Sequence, residues 1–100
     1  MAELRWSPQA ATDLEEICDF IGRNSPRYAA FFAETVLRVA QEMADHPAGG
    51  WMVPEYERPE IRERLLGSYR ILFRYHKHVV EIVTIIHGAR RLPPMPGGSK

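Results

Sequence analysis

The chain is short of nearly everything that marks a chemical centre. A single cysteine, Cys18, in one hundred residues excludes an intramolecular disulfide and a cysteine-based metal site. The four histidines do not complete a ligand set: His76 and His78 flank a turn, His46 and His87 lie elsewhere, and no carboxylate joins them, so no metal is expected. No glycine-rich phosphate loop is present, because Gly49-Gly50 runs into Trp51 and not into a helix start bearing lysine. With no such motif, no cofactor is expected. Ser7, Ser25 and Ser68 stand at caps or turns without a base, and Glu15-Glu16 point about 100° apart on a helix, so neither serine nor carboxylate chemistry is indicated. No apolar run approaches the roughly 18 residues that cross a bilayer. Met1 to Pro8 is too short and too polar for a signal peptide, which leaves the cytoplasm as the expected compartment and no membrane as a partner. Spacing alone gives no sign of an enzyme.

Net charge is also missing in total, yet the average conceals a division. Residues 1–57 hold four arginines against ten acids, a net of −6, whereas residues 58–100 hold nine basic residues against three acids, a net of +6. Such asymmetry points to an anionic partner for the basic half. Overall neutrality argues against a protein that lives on nucleic acid, since that affinity rests on many phosphate contacts. Direct sequence-specific DNA binding by this chain is not expected.

What is present is order at two periodicities. Apolar side chains at Ala2, Leu4 and Trp6 alternate as in a short strand. Ser7-Pro8 then opens a helix carrying Ala10, Leu14, Ile17, Cys18 and Ile21 on one stripe, with Gly22 as its expected stop. Ser25-Pro26 repeats the start signal, and Ala29, Phe32, Val36, Val39 and Met43 mark a second stripe that ends near His46-Pro47. Two amphipathic helices so closely joined form an antiparallel hairpin. Residues 47–60, with three prolines and two glycines, read as a loop packed through Trp51 and Tyr56. Strands are expected at 61–66, 69–75 and 79–87, the first two joined by the tight turn Gly67-Ser68. One domain over residues 1–93 with a proline- and glycine-rich flexible tail over 94–100 completes the reading.

The basic residues of those strands are the main candidates for function. Arg62 and Arg64 share one face of their strand, and Arg70 and Arg74 share one face of the next. Pairing is expected to bring all four guanidinium groups onto a single sheet face, opposite a core face of Tyr69, Ile71, Phe73 and Tyr75. Arg90 and Arg91, after the last strand, extend the patch toward an acidic or phosphate-bearing partner.

The segments LRWSPQAATDLEEICDFI, FFAETV, YRILFRY and VTIIHGARRLP, in this order from Leu4 to Pro93, resemble toxins of the RelE/ParE superfamily, the poison halves of bacterial type II toxin–antitoxin modules. The resemblance implies an α+β fold, strand–helix–helix–strand–strand–strand, with the helical hairpin packed on a small, mostly antiparallel sheet. It also implies a cognate antitoxin, for which Tyr28 and Phe31, off the main core stripe, are candidate contacts; the competing expectation packs them under the 47–60 loop. ParE-like relatives poison DNA gyrase by binding, and RelE-like relatives cut messenger RNA on the ribosome without a metal. A cleavage mechanism here would use Arg70 and Arg90 on the phosphate and His87 as proton carrier. The segment after Arg91 has no tyrosine or histidine, and HGARRLP looks more like ParE. The resemblance therefore implies a ParE-like gyrase poison, used in plasmid stabilization, with target contacts at Arg62, Arg64, Arg70, Arg74, Arg90 and Arg91. Its alternatives are a ribosome-dependent mRNA endonuclease and an inactive toxin-fold binding module.

Overall fold

The computed structural model describes residues 2–92; the expected tail at 94–100 lies outside them. Strand β1 (Glu3–Trp6) leads through Ser7 into helix α1 (Pro8–Gly22), followed by α2 (Pro26–Asp45), β2 (Trp51–Met52), β3 (Ile61–Leu66), β4 (Tyr69–His76) and β5 (Val79–His87). The sheet order is β1-β5-β4-β3-β2. Strand β1 lies parallel to β5, and the other neighbours are antiparallel. This is the expected α+β arrangement with one addition, because the 47–60 segment contributes the short edge strand β2.

Both helices begin as their serines dictate. Ser25 Oγ accepts from the Tyr28 N–H at 3.1 Å. Ser7 Oγ accepts from the Ala10 N–H at 2.9 Å and donates to the Val83 carbonyl at 2.8 Å, so one hydroxyl caps α1 and ties it to β5. Gly22 is the last helical residue and not a left-handed stop, because Arg23 continues in right-handed geometry before Ser25 opens α2.

The helices cover one face of the sheet. Phe32, Val36, Val39 and Met43 of α2 meet Ile71, Phe73, Val80, Ile82 and Ile85, all nearly or fully buried. Leu14, Ile17, Cys18 and Ile21 of α1 pack on the same cluster, and burial holds the Cys18 thiol above its ordinary pKa. Full burial of each such side chain contributes roughly 1.5–3 kcal/mol, so this face sets the stability of the domain.

The opposite face carries a second, smaller core. Val53, Ile61, Leu72 and Val83 are buried there, with Tyr56 and Leu92 packed against them. The 47–60 segment is therefore anchored by Val53 and Tyr56, whereas Trp51, expected as an anchor, is 70% exposed on the edge strand. Gly50 enters that strand at φ +79°, and a Cβ there would stand 2.8 Å from the Glu63 carbonyl oxygen, so only glycine fits.

Alternation along β5 breaks at a bulge between the pairs Leu72↔Thr84 and Phe73↔Ile82. Asp13 of α1 accepts from both the Thr84 hydroxyl and the Ile85 N–H at this irregularity. A carboxylate on the first helix thus satisfies the polar groups the bulge exposes.

Candidate functional site

The β3–β4 register decides where the arginines stand. Leu66 pairs with Tyr69 across the Gly67-Ser68 turn, so Arg62 lies opposite Phe73 and Arg64 opposite Ile71, on the face covered by the helices. Arg70 and Arg74 alternate with Leu72 and stand on the other face. The expected single face of four guanidinium groups is therefore wrong. A two-residue turn fixes the count, and the count places the two pairs on opposite sides.

Each pair is then treated differently by its neighbours. Arg64 donates to Glu42 of α2 at 3.1 Å, joining sheet to helix. That hydrogen bond holds the Glu42 carboxyl below the usual carboxylate range. Arg74 donates to Glu81 on β5 at 2.9 Å. Arg62 is half-buried and makes no ion pair with another described residue.

Arg70 is the most constrained of all. Its Nη1 and Nη2 donate to the two oxygens of Glu55 at 2.9 and 3.1 Å, and its Nε donates to Glu63 at 2.6 Å. The side chains of Arg70 and Glu63 are only 12% and 11% exposed. Both carboxylates push the Arg70 pKa up, the Glu55 hydrogen bonds most. The acid half of the chain thus neutralises the basic half from within, through Glu55 on Arg70 and Glu42 on Arg64. Glu55 was not singled out by its sequence position, because it lies in an irregular segment where no periodicity assigns a face.

Glu55 answers to Arg70 in turn: the Arg70 hydrogen bond holds its carboxyl below the ordinary value of 4.5. A depressed folded-state pKa adds stability that is complete above the ordinary value and is lost as pH falls through the folded one. Glu55→Gln is therefore expected to flatten the acid limb, losing less stability than the parent as pH falls below the ordinary carboxylate value in urea titrations. Parallel acid limbs would show that the Glu55–Arg70 contact contributes nothing.

The remaining candidates gather at the end of the sheet where β5 stops. His87 pairs with Tyr69 in register, and their rings meet edge to face at 5.5 Å. The Ala89 N–H donates to His87 Nδ1 at 3.2 Å. Arg90 N–H donates to the His87 carbonyl at 2.9 Å, so Arg90 and Arg91 leave the sheet on a tight turn, exposed and without an ion pair to any described residue. A groove of about 380 Å³ opens beside them, lined by Ile17, Phe20, Tyr69, His87 and Arg90.

Around Tyr69 the surface turns apolar. Tyr28 and Phe31 are 56% and 59% exposed, lie 6.3 Å apart as stacked rings, and line a groove of about 190 Å³ with Phe32, Leu66 and Tyr69. They do not pack under the 47–60 loop, which excludes that competing expectation. Among the described residues no three histidine, cysteine or carboxylate side chains converge as a metal site. No helix among them is long and apolar enough to cross a membrane.

This combination of helical hairpin and mixed sheet meets its match among known proteins. The family described as the ParE toxin of the type II toxin–antitoxin system parDE matches residues 4–92. The chain belongs to that family, within the RelE/ParE superfamily. It is a toxin of a type II toxin–antitoxin system. Toxin RelE2 of Caulobacter vibrioides is 31% identical over 90 residues, covering 90% of this toxin and 99% of that one. The chromosomal ParDE system of P. aeruginosa contains a chain with a TM-score of 0.71 at 22% identity, covering 87% of this toxin and 96% of that chain. The RelBE2 toxin–antitoxin complex of Mycobacterium tuberculosis gives 0.53 at 21% identity, over 86% and 96%. At these identities the two solved structures establish a shared fold.

Proposed function

We propose that this toxin acts as ParE-like proteins do, by binding DNA gyrase and stabilising its cleaved DNA complex, and that a cognate antitoxin neutralises it. The observation that carries this reading is the state of Arg70. A ribonuclease would need that guanidinium free to stabilise charge on a phosphorane. Here two carboxylates occupy three of its donor nitrogens. The proposed proton carrier is compromised as well. Nδ1 of His87 accepts from the Ala89 N–H at 3.2 Å, a contact that drawing a 2′-hydroxyl proton to that nitrogen would have to break. A toxin that works by contact needs neither group.

Arg90 and Arg91, exposed and unpaired among the described residues, are the target contacts this reading favours. The stacked Tyr28–Phe31 pair and its groove suit the apolar face of an antitoxin helix. The toxin's relatives of known structure come from toxin–antitoxin systems, which supports the partner. The cytoplasm, where gyrase and its DNA are found, is the compartment this function requires.

Purified toxin is expected to inhibit gyrase supercoiling and to trap linearised DNA, with both effects reversed by antitoxin. Folded toxin that leaves gyrase untouched but cuts translated messages would overturn the reading in favour of the ribonuclease.

A further inference from the structure

A groove of about 590 Å³ lies at the other end of the sheet, beneath the β4–β5 turn. Arg5 of β1, Arg58, Arg74 of β4 and Lys77 of the turn line it together with Glu60 and Glu81. Four cations converge there from three separate parts of the chain: β1, the 47–60 segment, and the end of β4 with its turn.

The two acids in the groove are already engaged. Glu60 accepts from Arg58, and Glu81 accepts from Arg74 at 2.9 Å. Each holds a guanidinium in place while leaving some of its five N–H donors unused. The pairs are also accessible: the side chains of Arg74 and Arg58 are 34% and 39% exposed, against 12% for Arg70. Among the described residues Arg5 engages only its Nε, on Glu3 outside the groove. Lys77 has no ion pair with any described residue and is thrust outward by a turn in which both Lys77 and His78 take positive φ. Accessible forks with spare donors beside a free ammonium suit phosphate oxygens.

We infer that this groove seats the phosphodiester backbone of duplex DNA, giving the toxin a hold on the DNA that its target enzyme carries. The inference deepens the gyrase reading, yet it concerns a surface away from Arg90 and Arg91 and is testable with no gyrase present. Total neutrality keeps the hold weak, while the local cluster gives it a place.

The test is fluorescence anisotropy of a short labelled duplex with toxin alone. A backbone resting on Arg5, Arg74 and Lys77 binds with a log–log salt slope of about −2.7, which weakens it roughly fortyfold between 50 and 200 mM salt. Arg5→Glu/Lys77→Glu is expected to abolish binding at the lower salt. Lys77→Asn, which keeps a residue tolerant of positive φ, should weaken it by itself with an unchanged melting temperature. Absence of binding by folded toxin at low salt would overturn the inference. So would binding that survives Arg5→Glu/Lys77→Glu but is lost in Arg90→Glu/Arg91→Glu. Displacement of the duplex by poly-glutamate at equal charge concentration would overturn it in favour of an acidic peptide. Gyrase inhibition without duplex binding would sink this inference alone, and duplex binding without gyrase inhibition would sink the target assignment alone.

Discussion

Arg70→Ala is expected to lower the unfolding free energy by roughly 3 kcal/mol, the lower part of the range for breaking a buried ion pair by removing one partner. The loss arises less from the attraction given up than from what remains. Glu63 is 11% exposed and would stand opposite Leu72 with its cation gone. Glu55, nearly half exposed, returns to water at little cost. For a domain of this size that loss corresponds to a fall in melting temperature of roughly 12 to 24 °C. Arg70→Lys should recover only part of it, because an ammonium cannot fork onto one carboxylate while holding a second. Arg70→Met/Glu63→Leu should recover most, because it removes both charges and extends the Val53–Ile61–Leu72–Val83 cluster. An Arg70→Ala toxin as stable as the parent would show that the network adds nothing.

This expectation changes how any loss of toxicity at Arg70 is to be read. Reversal to glutamate would bring a third carboxylate against Glu55 and Glu63. The resulting variant would fail by unfolding, whatever surface meets the target. Arg70 holds the 53–60 segment to the sheet, a structural duty that its place in a basic strand does not reveal.

Much of the architecture was legible in the residues, because it follows from periodicity and punctuation. Two Ser-Pro starts place two helices, and the stripes at Phe32, Val36, Val39 and Met43 name the buried side. The two-residue turn at Gly67-Ser68 implies Leu66 opposite Tyr69. Counting back from it separates Arg62 and Arg64 from Arg70 and Arg74, so even the error about their shared face was open to correction by sequence. Other features were not legible, for physical reasons. Glu55 and Val53 act from an irregular segment, where direction depends on tertiary anchoring and not on a repeat. The bulge in β5 shifts the pairing between Leu72 and Phe73, so strict alternation fails over residues 82–86. Asp13 looks like one more acid on a solvated helix face, yet it receives the Thr84 hydroxyl and the Ile85 N–H that the bulge frees. Long-range polar partnerships of this kind leave no local signal.

Arg90→Glu/Arg91→Glu is the complementary experiment, with a large expected effect on killing and almost none on folding. Both side chains are exposed, neither pairs with a described carboxylate, and both lie beyond the last residue of β5. Surface changes of this kind usually stay within about 0.5 kcal/mol of the parent in stability. At a contact with an anionic target, reversing two charges replaces attraction with repulsion and costs roughly 3 kcal/mol, about a hundredfold in affinity. The concentration of toxin that half-inhibits supercoiling should rise by that factor, with the melting temperature unchanged. Antitoxin affinity should hold as well, since Tyr28 and Phe31 lie on α2 and neither Arg90 nor Arg91 lines their groove. An unchanged inhibition profile would remove Arg90 and Arg91 from the target surface and leave the basic groove beneath the β4–β5 turn as the cationic cluster still to be tested. If inhibition and antitoxin binding weakened together at full stability, target and antitoxin would share one surface, and neutralisation would then be direct competition for these two arginines.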